Sequence, residues 1–72
     1  MPPANENGLT NHIRRFRFEH GEMTQQQLAE RAGVTRQTII ALESGRYAPS
    51  LLLGIRIARV FGMNVEEVFK VE

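Results

Sequence analysis

The feature that most constrains this chain is a run of helix starts and stops between Thr24 and Gly45, TQQQLAERAGVTRQTIIALESG. Thr24 followed three residues later by Gln27 is a capping-box pattern that opens a helix, Leu28 and Ala29 give that helix its buried stripe, and Gly33 stops it. Thr35 is the next N-cap candidate, Thr38 and Ile39 lead on to Leu42, and Gly45 ends the second segment. Two short helices, each about two turns long, are therefore joined by only a few residues. A joint that short forces the pair to cross steeply, so one helix presents its outer face while the other braces it.

The flanking chain reads the same way. Leu9, Ile13 and Phe16, with His20, fall at helical spacing and predict helix 1 from Leu9 to a stop at Gly21. Arg46 to Ser50, RYAPS, is a loop whose Pro49 disfavours helix before it and whose Ser50 caps the next segment. Helix 4 then carries Leu51, Ile55, Ala58 and Phe61 at three- and four-residue steps, with Ile57 beside them and Gly62 closing it. Asn64 and Glu67 form a further capping box opening a last short helix with Val65, Val68 and Phe69. Val71 alone is too little to argue for a sheet, so the expected fold is all-α, five helices in one domain spanning residues 9–72. Residues 1–8, MPPANENG, show no periodicity and are expected to form a disordered lead-in.

Composition excludes several classes of function. There is no cysteine, which removes disulfide frameworks, thiolate metal sites and thiol nucleophiles. His12 and His20 have no carboxylate placed to complete a metal site, and adjacent Glu66 and Glu67 on a helix point about 100° apart, unlike a catalytic pair. No nucleophile and base are brought together, so a binding protein without cofactor is expected rather than an enzyme. No basic leader precedes an apolar run and no apolar stretch approaches a membrane span, which points to a soluble, cytoplasmic protein. At 72 residues a single core is marginal, and a partner subunit often supplies the missing buried area. Charge is uneven: residues 9–59 hold eight arginines against four glutamates, +4, while residues 60–72 hold Lys70 against three glutamates, −2. A basic body with an acidic end suits a polyanion bound on one face, although a solvated helical surface explains the same counts.

Ala29, Gly33, Ile39, Leu42, Glu43 and Gly45, in that order and spacing, resemble the helix-turn-helix of the phage-repressor class, the xenobiotic-response-element (XRE) or Cro/C1-type family. The resemblance continues through GRYAPSLLLGIRIARVFGMNVEEVF and covers about sixty of the 72 residues. It implies a five-helix phage-repressor-like domain that binds double-stranded DNA, with helix 3 in the major groove. Arg36 and Gln37 then read bases, since Arg makes bidentate contacts to guanine and Gln to adenine. Thr38 and Ala41 join them as base-reading candidates, each equally well explained as a good local helix residue. Gln25 at the start of helix 2, with Ser44, Arg46 and Tyr47 after helix 3, are the phosphate-binding candidates.

Arg17 and Glu43 match a pair that in the family bridges helices 1 and 3, a structural role. The family further implies a homodimeric transcriptional regulator, with repression at a palindromic operator as its outcome. The expected dimer interface comprises Leu52, Val60, Val68, Phe69 and Val71. Leu52 stands where the subgroup often has an acid, and Phe18 and Ile40 add apolar residues to faces expected to be polar. Against longer repressors of this class no sensor domain, and so no small-molecule ligand, is expected. Two other uses of the fold stay open: an antitoxin-like module that holds a partner protein, and an RNA-binding adaptor.

Overall fold

The computed structural model describes residues 8–71. Apart from Gly8, the expected N-terminal lead-in lies outside the described residues, as does Glu72. Seven elements succeed one another: β1 (Leu9–Asn11), α1 (Ile13–Glu19), α2 (Gln25–Ala32), α3 (Arg36–Glu43), α4 (Leu51–Val60), α5 (Val65–Val68) and β2 (Phe69–Val71). The five-helix expectation holds for the body of the domain, and a two-stranded ribbon is added at its edge. Among the described residues no helix is long and apolar enough to cross a membrane.

The helix boundaries are written locally. The Thr24 hydroxyl accepts from the Gln27 N–H at 3.0 Å while Gln27 Oε1 accepts from the Thr24 N–H at 2.9 Å. Thr35 and Ser50 cap α3 and α4, accepting from the N–H groups of Thr38 at 3.3 Å and Leu53 at 3.1 Å. At the other ends, α2 and α3 stop alike. Gly33 and Gly45 turn left-handed at φ 75° and 77°, and the next N–H reaches back to Ala29 O at 2.9 Å and Ala41 O at 3.1 Å. A side chain at either glycine would be strained, whereas glycine lets the orphaned carbonyls find donors and the chain reverse at once.

Three expectations are corrected by contacts between distant residues. First, Leu9–Asn11 is a strand, not the first turn of α1: it pairs antiparallel with β2 in the register Leu9↔Val71, Thr10↔Lys70, Asn11↔Phe69. His12 N–H donates to Val68 O at 2.9 Å and Asn11 Nδ2 to Leu42 O at 2.9 Å, so partners far along the chain override the local helical period. Second, the buried stripe of α4 is Leu53, Gly54, Ile57 and Ala58, continued by Phe61, and Leu51 is left 75% exposed. Third, Val68 is fully buried and Phe69 is 7% exposed, so neither is available as a dimer contact. Both close the core of their own protomer, with the Phe69 ring lying over Gly54. Val60 is partly buried against the same core, while Leu52 and Val71 remain exposed.

The core is built from Ile13 and Phe16 of α1, Leu28 and Ala29 of α2, Ile39 and Leu42 of α3, and the stripe of α4. Ala29, fully buried, is small enough to let α2 pack against both α3 and α4. His20, beyond α1, ties that helix to the end of α4: Nδ1 lies 2.8 Å from Phe16 O and Nε2 3.1 Å from Phe61 O.

Candidate nucleic-acid interface

The candidate site is assembled around α3, which lies across α2 with only Gly33, Val34 and Thr35 between them. Ile39 and Leu42 anchor its inner face, fully and almost fully buried. At about 100° per residue the opposite face carries Arg36, Gln37, Ile40, Ala41 and Ser44, an arc of about 140°. Arg36 and Gln37 are exposed at the N-terminal end of this arc. Among the described residues no carboxylate lies within ion-pair distance of Arg36 or Arg46.

The brace behind α3 is a buried ion pair. Arg17 Nε donates to Glu43 Oε2 at 2.8 Å and its Nη2 to Glu43 Oε1 at 2.9 Å, a two-pronged contact with both side chains about nine-tenths buried. The third arm of the guanidinium, Nη1, donates to Met23 O at 2.9 Å. Gln25 Nε2 donates to Glu43 Oε1 at 3.4 Å. One ion pair therefore ties together α1, the loop before α2, the first residue of α2 and the last residue of α3. The pairing of Arg17 with Glu43 is the one the family resemblance implies. The roles of the Met23 carbonyl and the Gln25 amide were not legible in the sequence, because their partners are set by the crossing of helices rather than by spacing.

The remaining candidates divide. Gln25 stays half-buried at the N-terminus of α2, beside the ion pair, at the helix end where an anion is favoured. Arg46 and Tyr47 are exposed just past α3. Thr38 lies off the outer arc, and its hydroxyl is 3.1 Å from the capping Thr35 hydroxyl, so its chemistry serves the start of α3. Ser44 directs its hydroxyl proton to Ala41 O at 2.9 Å and serves the helix end. Ala41 is half-buried at the far edge of the arc. The residue missed as a site candidate is Ile40, 42% exposed in the middle of the arc. A helical wheel of Arg36 to Ser44 carries that signal.

Between α1 and this face run two open grooves. One is lined by Arg14, Phe18, Thr24, Gln25 and Arg36 among others, and the other by Arg14, Phe18, Gln25, Ile40 and Ser44. Phe18 is half exposed in both, with the Arg14 guanidinium 5.8 Å from its ring centroid. Among the described residues no group of three or more metal-ligating side chains converges.

The helix-turn-helix family model matches residues 13–68, from the start of α1 to the end of α5. The chain is 62% identical over 58 residues to a protein of Methanothermobacter thermautotrophicus, covering 79% of this chain and 83% of that one. It is 44% identical over 64 residues to YgzD of Bacillus subtilis, covering 89% of this chain and 96% of the relative. Both bear the name uncharacterized HTH-type transcriptional regulator. Among solved structures, a candidate DNA-binding protein from Bacteroides fragilis shares the fold with a TM-score of 0.74 at 24% identity, over 86% of this chain and 98% of that one. The chain belongs to the helix-turn-helix family of the XRE, Cro/C1 type.

Proposed function

We propose that this protein is a sequence-specific double-stranded DNA-binding regulator of transcription, a binding protein rather than a catalyst, that works in the cytoplasm. The observation that carries the reading is the outer arc of α3, where Arg36 and Gln37 stand exposed on a helix whose opposite face is locked into the core. A major groove admits such a helix and offers guanine and adenine edges that match these two side chains. Gln25, Arg46 and Tyr47 flank that face and fit phosphate contacts on either side of it. The relatives named as transcriptional regulators support the same reading.

Two such domains side by side would read a palindromic operator, and occupancy of a promoter would repress. Leu51, Leu52 and Val71 support self-association, since they are 75%, 58% and 84% exposed and apolar. The Cα extents of 27 × 22 × 21 Å suit two copies whose recognition helices stand about 34 Å apart, one turn of DNA.

The test is a footprint on genomic DNA at stated salt, repeated with Arg36→Ala and Gln37→Ala. Each substitution is expected to cost about 1–3 kcal/mol and to relax preference at one base pair of each half-site. Competition by structured RNA in preference to duplex DNA, or unchanged base preference in the double variant, overturns the reading. Sedimentation separates the dimer from the rest: Leu52→Asp should weaken association and specific binding together. A monomer at tens of micromolar with a single non-palindromic site removes the dimer alone.

A further inference from the structure

Ile40 sits on the outer arc of α3 at about 40° past Arg36 and about 60° short of Gln37, between the two polar readers. Its neighbour Ile39 is fully buried, so the two isoleucines divide the labour of the helix: one packs the core and the other, 42% exposed, faces out. An exposed β-branched residue in mid-helix lowers helix propensity slightly and leaves apolar area in water. Neither the core nor a cap gains from it. It also lines the groove that holds Phe18 and Gln25.

We propose that Ile40 is a specificity-determining residue that receives the C5-methyl of a thymine in the major groove, next to the base pairs read by Arg36 and Gln37. This inference rests on the DNA-binding reading given above. Of the groups displayed on base edges in that groove, the thymine methyl is the apolar one, and the others are hydrogen-bond donors or acceptors. Isoleucine in a helix is held in one strongly preferred χ1 rotamer, so its methyl groups meet a partner in a fixed place with little entropy to lose. Seated between Arg36 and Gln37, it discriminates thymine from cytosine, whose C5 carries hydrogen, without any polar contact of its own. The half-site is then expected to carry a thymine among the positions the two polar side chains read.

The experiment is a methyl scan on the footprinted operator with the full chain. Each thymine is replaced singly by deoxyuridine, which removes the methyl and keeps every hydrogen-bonding group. Wild type should lose about fourfold in affinity at one position in each half-site, the value of burying one methyl. Ile40→Ala should show that loss already on the thymine operator and none further on the uracil operator, while Ile40→Val keeps part of the discrimination. Alanine raises helix propensity, so Ile40→Ala folds, and its melting temperature verifies this. A uracil penalty of equal size in wild type and Ile40→Ala at every position overturns the inference, as does an Ile40→Ala loss that is uniform over all duplexes. If Arg36→Ala and Gln37→Ala abolish base preference but no thymine couples to Ile40, the methyl contact alone fails. If they leave preference intact, the DNA-reading assignment fails first.

Discussion

The α2–α3 half of the domain and the half that closes it, β1 with α5 and β2, are stabilised by different kinds of information. In the first, starts and stops are fixed by residues three or four positions apart: Thr24 with Gln27, Thr35 with Thr38, and the glycines at 33 and 45. In the second, the deciding bonds join residues from opposite ends of the chain, His12 to Val68 and β1 to β2. The reading half owes its shape to local chemistry and its rigidity to one buried ion pair. The closing half owes both to non-local pairing and to Phe69 and Val68 filling the base of the core. Substitutions on the two sides should therefore fail differently.

The largest effect is expected in the closing half. Phe69→Ala removes a nearly buried ring over Gly54 and should cost about 4 kcal/mol of folding stability, read from denaturant midpoints. Relative base preference, measured on the fraction that remains folded, should not move. A shifted operator preference would break the division of labour.

Next is the ion pair that braces the α2–α3 half against α1. Glu43→Ala leaves Arg17 buried without its partner and should cost about 3 kcal/mol, part of which Arg17→Met restores in the double variant. Because Gln25 also loses its hydrogen bond to Glu43, this variant should weaken phosphate contact more than it alters base choice. An unchanged melting temperature with a new operator preference would place Glu43 on the DNA side instead.

Arg46→Ala is expected to leave stability within about 0.5 kcal/mol of wild type, since the side chain is exposed and unpaired among the described residues. Binding to all duplexes should weaken alike, with the slope of affinity against log salt reduced by about one. Selective loss at one base pair would instead make Arg46 a base reader.

The last effect sharpens the comparison from the favourable side. Gly54 lies in α4, and a methyl group added there would stand 3.8 Å from both the Phe69 ring and Pro49, an ordinary contact distance. Gly54→Ala should raise stability by about 1 kcal/mol, through helix propensity and added packing, with DNA binding unchanged. A loss of stability would mean that Phe69 cannot tolerate even a methyl group above it.

These differences also explain what could be read from the sequence. The turn, both caps of the reading half, and the pairing of Arg17 with Glu43 derive from spacing and from the family resemblance, and the structure contains them. The strands were not legible, because Leu9 to Asn11 continues a helical period and its true partners are about 60 residues away. The same blindness put Val68 and Phe69 on an expected dimer surface: apolar residues near a chain end look identical whether they pack inward or outward. It also shifted the stripe of α4, where Leu51, Leu52 and Leu53 are indistinguishable until tertiary packing chooses Leu53 for the core. On α3 the limit was different. Ile40 was visible as an outward residue, and only its place between Arg36 and Gln37 gives it a chemical partner.

The separation of the two faces of α3 has an evolutionary consequence. Ile39, Leu42 and Glu43 hold the helix in the domain, and none of them belongs to the arc formed by Arg36, Gln37, Ile40 and Ala41. A lineage can therefore exchange the outer side chains one at a time without crossing the stability threshold that purges most core substitutions. Duplicated copies keep one scaffold and drift toward new operators, and a homologue's target is not inherited along with its fold.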